Sequence, residues 1–135
     1  MIIYCIIISF LGCLDAPQNS NCLPSIDVSI STELNNPSLI NVQTPGGFAY
    51  IQGGQKGILL FNIDNTRFVA FDRLCPNTDC TAPMVFENGL ALRCTCDDSK
   101  YSVHFQGAPQ TDNAECPARE YKVTKIGTSL RITNF

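Results

Sequence analysis

The chain has 135 residues, enough for one domain with a single hydrophobic core. Charged residues make up 16% of it, and 9 basic residues against 12 acidic ones give a formal net charge of −3. Because no cluster of Lys and Arg is present to contact phosphates, we expect no nucleic acid partner.

The N-terminal segment, residues 1–12, is almost wholly apolar. It is shorter than the roughly 20 apolar residues of a membrane-spanning helix, and it fits the apolar core of a secretory signal peptide. The sequence Phe10-Leu11-Gly12-Cys13 resembles the bacterial lipobox, although no basic residue precedes the apolar run. The resemblance implies export and a lipid on Cys13 that anchors the protein at a bacterial envelope, in the periplasm or on the outer membrane. A buried N-terminal strand is the alternative.

Residues 13–24 are mostly polar and include two prolines, which is typical of a tether between a lipid anchor and a domain. The folded domain is then expected over residues 25–135. Six cysteines remain after signal removal and lipidation, and an even number in an oxidising compartment indicates disulfides before metal ligation. They are Cys22, Cys75, Cys80, Cys94, Cys96 and Cys116.

Short apolar or alternating runs separated by turn residues predict a fold made of strands. No stretch shows the apolar periodicity of a helix, so we expect an all-β fold of about ten strands in small stacked antiparallel sheets. The predicted strands are 26–30, 39–42, 48–51, 57–63, 67–72, 84–87, 90–93, 101–105, 120–125 and 129–133.

Asn88-Gly89 is the strongest turn signal, since both residues tolerate positive φ. It predicts a hairpin whose open end carries Cys80 and Cys94. The glycine-rich stretch 52–57 is expected to be a hairpin loop and not a phosphate cradle, because no Lys-Ser/Thr pair and no helix pattern follow it.

Two short cysteine loops, 75–80 and 94–99, flank this hairpin. They resemble the cluster-binding region of Rieske iron–sulfur proteins, in which Cys-x-His and Cys-x-x-His hold a [2Fe–2S] cluster. Cys75 and Cys94 fall on the two cysteine ligand positions, whereas Asn77 and Asp97 stand where the family has histidines. The resemblance covers roughly residues 48–133 and implies a Rieske-like fold with the two loops forming the site.

Further positions agree with the family pattern. The resemblance implies a disulfide between Cys80 and Cys96, and it implies that Ser99 and Tyr101 supply hydroxyls beside the cluster site. Gly107-Ala108-Pro109 resembles the third loop that covers the cluster.

The missing histidines decide the expected chemistry. The amide of Asn77 is a poor iron ligand, and one carboxylate at Asp97 does not replace two imidazoles. His104 lies seven residues beyond Asp97 and is expected to be an exposed strand residue. We therefore expect no cofactor and no metal; if a metal binds, its ligands would be Cys75, Cys94 and Asp97.

In the family both ligand cysteines bind the same iron, so without a cluster the resemblance implies a Cys75–Cys94 disulfide beside Cys80–Cys96. Cys22 and Cys116 remain as a third pair.

Three functions stay open. The first is a cluster-free Rieske-fold lipoprotein with a structural or binding role and an unidentified protein partner. The second is electron transfer by a [2Fe–2S] cluster on Cys75, Cys94, Asp97 and a fourth group. The third is a zinc site, because four thiolates suit tetrahedral zinc; its ligands would be Cys75, Cys80, Cys94 and Cys96. A hydrolytic enzyme has little support, since the chain has one histidine.

Overall fold

The computed structural model of the protein describes residues 22–24, 26–77 and 79–135. The predicted signal segment 1–12, the predicted lipid site Cys13 and the tether up to residue 21 lie outside the described residues. The described part of the chain contains one 3-10 helix, Pro37–Gln43, and nine strands. The strands are β1 (Ser29–Glu33), β2 (Phe48–Ile51), β3 (Ile58–Asn62), β4 (Phe68–Asp72), β5 (Val85–Glu87), β6 (Ala91–Arg93), β7 (Lys100–Ser102), β8 (Glu120–Ile126) and β9 (Ser129–Thr133).

The strands form two antiparallel sheets. Six of them lie in the order β1-β9-β8-β4-β3-β2, and the other three in the order β5-β6-β7. The small sheet carries the second cysteine loop between β6 and β7, and the first cysteine loop leads from β4 to β5. Both loops therefore meet where the small sheet packs on the large one.

Strands β3 and β4 are buried along their whole length. Successive side chains of a strand point to opposite faces, so each strand contributes to two cores. Leu59 and Phe71 pack in the core that contains Cys75 and Cys94, whereas Leu60 and Ala70 pack in the other core beside β8 and β9. This continuous burial explains why both strands are apolar except at their last residues, Asn62 and Asp72.

The small sheet follows the predicted hairpin. Asn88 and Gly89 both have positive φ, 55° and 68°, and the backbone N–H of Leu90 donates to the carbonyl of Glu87 at 2.9 Å. The right-handed twist of the flanking strands favours this primed turn. The turn thereby fixes the register that places Val85 opposite Arg93, next to the second cysteine loop.

The predicted strand 39–42 is wrong, because this segment is the 3-10 helix. Asn36 caps it: its side chain accepts a hydrogen bond from the backbone N–H of Ser38, and Pro37 occupies the first turn. Leu39 and Val42 are both buried, one 3-10 turn apart. A four-residue apolar run cannot distinguish this arrangement from a strand.

The first strand starts later than the alternating pattern 26–30 predicts, at Ser29. Before Ser29, the side chain of Asn134 makes the backbone hydrogen bonds that a neighbouring strand would otherwise make. Its Oδ1 accepts from the backbone N–H of Val28 at 2.6 Å, and its Nδ2 donates to the carbonyl of Ile26 at 2.9 Å. The extended chain therefore continues upstream without a backbone ladder.

The buried carboxylate of Asp72, at the end of β4, holds three segments together. It accepts hydrogen bonds from the backbone N–H groups of Gln55 and Lys56 in the glycine-rich loop, at 2.7 and 3.1 Å. It also accepts from the N–H of Leu74 and from the hydroxyl of Tyr121. Burial and the bond to Asp72 raise the pKa of Tyr121, so its hydroxyl remains a donor. The start of the first cysteine loop is thus fixed to the large sheet.

Among the described residues, no helix has the length and apolar character needed to cross a membrane.

Candidate functional site: two cysteine loops closed by disulfides

The two cysteine loops are short turns held by their own backbone. In the second loop the N–H of Cys94 donates to the carbonyl of Ser99 at 2.8 Å, and the N–H of Asp98 donates to the carbonyl of Cys94 at 2.9 Å. Asp98 adopts the left-handed conformation with φ 60°, which Asp tolerates better than most residues. In the first loop the N–H of Cys80 donates to the carbonyl of Asn77 at 3.3 Å. These turns direct the cysteine side chains toward each other.

Cys75 and Cys94 are bonded to each other at the centre of the site. Their Cα atoms are 5.5 Å apart, within the usual range for a disulfide, and the side chains are 2% and 0% exposed. The bond joins the two cysteine loops and lies in the core beside Phe71.

The other two disulfides surround this bond. Cys80 pairs with Cys96 and Cys22 with Cys116, each with Cα atoms 5.7 Å apart. All three pairs are those expected from the sequence. Cys22–Cys116 also holds the end of the predicted tether on the domain, where the Arg119 side chain donates to the carbonyl of Leu23 at 2.8 Å.

Asn77 and Asp97, at the histidine-equivalent positions, contact each other across the two loops. The side-chain amide of Asn77 donates to Oδ2 of Asp97 and, at 3.3 Å, to the Ser99 hydroxyl. The Ser99 hydroxyl donates to Oδ1 of Asp97 at 2.7 Å, and the Tyr101 hydroxyl donates to Ser99 at 3.1 Å. Four predicted site residues therefore form one hydrogen-bonded chain, with Asp97 as its terminal acceptor.

These hydrogen bonds and burial shift the pKa values of Asp97 and Tyr101. Hydrogen bonds from the Ser99 hydroxyl and backbone N–H, together with one from Asn77, outweigh desolvation and hold the pKa of Asp97 below its ordinary value. Burial is the main cause that raises the pKa of Tyr101. Asp97 is thus the charged acceptor and Tyr101 the neutral donor.

This depressed pKa predicts a stability change with pH. The carboxylate of Asp97 should stabilise the folded state above its unfolded pKa of about 4, and this contribution should be lost as the pH falls through the lower folded value. The Asp97→Asn variant should therefore be less stable than the unsubstituted protein at neutral pH, and the difference should shrink below about pH 4. Urea unfolding of both proteins between pH 2 and 7 measures it. A difference that is constant over this range would contradict the role assigned to the carboxylate.

A third loop, 107–116, lies beside the two cysteine loops. Pro109 forms a bridge with Tyr101, and the Asn113 side chain donates to the backbone carbonyl of Asp97 at 3.1 Å. Gly107 has φ 76°, and a Cβ there would meet the carbonyl of Ala118. The segment 107–109 is thus next to the site, and Asn113 is a contact that no sequence signal indicated.

A cleft of about 610 Å³ opens between the cysteine loops and the third loop. The Cys80–Cys96 and Cys22–Cys116 disulfides both line it. Its described lining contains four carboxylates and neither Lys nor Arg. These acidic residues are Asp79, Asp97, Asp112 and Glu115.

His104 lies away from the site. The predicted strand 101–105 ends at Ser102, and His104 sits in the following turn, half-buried. Its Nε2 is 2.8 Å from the carbonyl oxygen of Gly89, and its ring packs edge-on against Phe61. The expected exposed strand position is therefore wrong, because the turn folds the imidazole back onto the Asn88-Gly89 hairpin.

The donor set does not fit a Rieske cluster. Such a cluster needs two thiolates and two neutral imidazoles, whereas Cys75 and Cys94 are bonded to each other and Asn77 uses its amide as a donor to Asp97. For zinc, the Sγ atoms of Cys75, Cys80 and Cys94 lie within 4.8 Å of one another. Because all three belong to disulfides, they could bind a metal only after reduction.

Comparisons with known proteins show a similar fold. No family model matches the sequence, and no curated protein matches it. The ferredoxin of carbazole 1,9a-dioxygenase from Nocardioides aromaticivorans IC177 is similar in structure, with a TM-score of 0.53 and 19% identity over 82% of this chain and 100% of that chain. The putative small subunit of an NADPH nitrite reductase aligns with a TM-score of 0.49 and 15% identity, over 78% and 97% of the two chains. The first likeness confirms the predicted fold class: the chain has an all-β, Rieske-like fold of stacked antiparallel sheets.

Proposed function

We propose that this chain is a Rieske-fold lipoprotein of a bacterial envelope whose cluster site is closed by disulfides and which has a structural or protein-binding role. One observation supports it most directly: the two cysteines at the ligand positions are bonded to each other in the core. Iron is bound by cysteine thiolates, and a sulfur in a disulfide carries no negative charge, so breaking the bond with a reductant would have to precede ligation.

The replacement of the histidines supports the same proposal. Asn77 and Asp97 satisfy each other through a hydrogen bond, with Ser99 and Tyr101 supplying the remaining donors. The polar groups of the site thus have partners without a metal. A scaffold that keeps its loops and satisfies its polar groups internally can serve as a rigid module.

Two features support export and lipidation: the disulfides of the domain that follows the predicted tether, and the apolar segment that precedes it. Three disulfides in a small domain are typical of an oxidising compartment. The apolar segment 1–12 followed by Cys13 provides the signal for that compartment. Because Cys22 is bonded to Cys116, the chain between the proposed lipid and the domain would span residues 14–21.

Peptide mapping without reduction tests the proposal. The protein should be isolated aerobically from its envelope fraction, alkylated under denaturing conditions and digested. We expect no alkylated cysteine among the six, and linked peptides for the three pairs in the structure. Free thiols at Cys75 and Cys94 together with bound iron and sulfide would instead support electron transfer. Bound zinc with four alkylated cysteines would support the zinc site.

The proposed anchor has its own test. In a bacterial host, the protein should incorporate a labelled fatty acid, and its mature N-terminus should be Cys13. The Cys13→Ser variant should lose the label and leave the membrane fraction. Labelling that persists in this variant would exclude Cys13 as the lipid site.

A further inference from the structure

Two of the three disulfides lie close together. The Sγ atoms of Cys75, Cys80 and Cys94 all lie within 4.8 Å of one another, although Cys80 is bonded to Cys96. One sulfur of the outer bond, that of Cys80, is therefore close to both sulfurs of the inner bond. This proximity is not needed to hold the loops together, since each disulfide already joins them.

The Cys80–Cys96 and Cys75–Cys94 disulfides differ in how accessible they are to solvent. Cys96 is exposed and lines the cleft, whereas Cys80 is only 5% exposed and the inner pair is almost fully enclosed. A thiol in solution can thus reach Cys96 but neither Cys75 nor Cys94. In the described part of the chain, Cys80 is the sulfur that connects the exposed Cys96 to the inner bond.

We propose that these two disulfides form a relay for thiol–disulfide exchange, which carries two electrons from an external dithiol to the buried Cys75–Cys94 pair. The relay rests on the proposed function, because it requires the inner disulfide in the resting protein. The redox activity that it assigns to the site goes beyond a structural role.

The first step is attack of a thiolate of the dithiol on Cys96. A mixed disulfide forms, the Cys80–Cys96 bond breaks, and Cys80 leaves as a thiolate. Cys80 then attacks Cys75 or Cys94, forms a new disulfide with it and releases the other sulfur as a thiolate. Because Cys80 is already next to both sulfurs, this second attack is intramolecular and has a high effective concentration.

The remaining steps restore the outer bond. The second thiol of the dithiol attacks the mixed disulfide, so the dithiol leaves as a disulfide and Cys96 becomes a thiolate. Cys96 attacks Cys80 and re-forms Cys80–Cys96, which releases the last inner thiolate. In sum, the dithiol loses two electrons and two protons, and Cys75 and Cys94 gain them as two thiols.

The cleft favours cationic thiols. Its carboxylates, Asp79, Asp97, Asp112 and Glu115, have no Lys or Arg beside them in the described lining. Attraction between opposite charges raises the rate of encounter and weakens with salt. The substrate class that fits is a dithiol in positively charged surroundings.

The Cys96→Ser variant tests the exchange without any reductant, because it leaves Cys80 as a free thiol. Acid quenching, alkylation and peptide mapping should find the alkylated cysteine shared between Cys80 and the inner pair. We expect crossed disulfides to Cys80 in about a tenth of the molecules or more, which allows the crossed bond to be up to about 1.4 kcal/mol less favourable.

The matched control is Cys80→Ser, which leaves the free thiol on Cys96, outside the group of three close sulfurs. In this variant the label should be found on Cys96 alone. If the label in Cys96→Ser stays on Cys80 alone while Cys75–Cys94 is intact, the relay is excluded and the proposed function stands. If Cys75–Cys94 is absent from the unsubstituted protein, the proposed function itself fails.

Limited reduction of the unsubstituted protein gives an independent test should Cys96→Ser not fold. After about one equivalent of dithiothreitol under native conditions, thiols at Cys75 or Cys94 support the relay. Thiols only at Cys80 and Cys96, or only at Cys22 and Cys116, overturn it.

The charge preference is tested with monothiols under the same conditions. Cysteamine should open Cys80–Cys96 faster than 3-mercaptopropionate does, after correction for thiolate concentration, and salt should reduce the ratio. Equal rates at low salt would overturn the assigned substrate class.

Discussion

The double variant Asn77→His with Asp97→His should bind a [2Fe–2S] cluster after reconstitution with iron, sulfide and a thiol reductant. The side chains of residues 77 and 97 touch across the two cysteine loops, so two imidazoles placed there would face the same space. The bonded sulfurs of Cys75 and Cys94 are close enough to share one iron once the reductant has opened the disulfide. We expect about two irons per chain in this variant and none retained in the unsubstituted protein. Iron and sulfide analysis with visible spectroscopy measures the difference.

Two controls make the result specific. Asn77→Gln with Asp97→Asn changes the same positions without providing imidazoles, and it should bind no cluster. The double histidine variant with Cys94→Ser lacks one thiolate and should also fail. Equal cluster content in the unsubstituted protein and the double histidine variant would show that the residues at positions 77 and 97 do not determine whether a cluster binds.

Removal of the Cys22–Cys116 disulfide should cause the largest loss of stability among the three. This bond joins residues 94 positions apart, whereas Cys80–Cys96 joins residues 16 apart. In the chain-entropy treatment a longer closed loop restricts the unfolded chain more, so we expect a loss of about 4.7 kcal/mol for Cys22→Ser with Cys116→Ser. That is a large part of the total stability of a typical domain, about 5–15 kcal/mol.

The matched variant is Cys80→Ser with Cys96→Ser, for which about 3 kcal/mol is expected. Urea unfolding at neutral pH measures both free energies, and the m-values show whether the unfolded states expand. A smaller loss for the long loop than for the short one would show that native-state contacts, and not loop closure, determine the contribution of Cys22–Cys116.

Strands with clear turns could be predicted closely from the sequence. The strand β9 has the predicted bounds, and so does β2, because Gly127 and the glycines at 46–47 and 53–54 break the chain beside them. The Asn88-Gly89 turn fixed the register of the hairpin formed by β5 and β6 in the same way. In these places local conformation alone determines the structure.

Other elements depend on tertiary contacts that no local pattern shows. The segment 39–42 became helical through the cap at Asn36, and the side chain of Asn134, more than 100 residues away, replaced the ladder before β1. At the site, the Cys75–Cys94 and Cys80–Cys96 pairs followed from the resemblance to Rieske proteins, and Cys22–Cys116 was the pair that remained. The bond between Asn77 and Asp97 and the contact of Asn113 did not, because they join loops that are distant in sequence.

Low-temperature electron paramagnetic resonance of protein isolated without oxygen and then reduced with dithionite shows directly whether the site holds iron. If sulfur is bonded to sulfur where the fold family holds iron, the sample should show no signal from a reduced two-iron centre, and iron and sulfide analysis should find neither element in stoichiometric amount. A rhombic signal that accounts for about one unpaired spin per chain would show that a reduced [2Fe–2S] cluster occupies the site and that Cys75 and Cys94 are not bonded to each other.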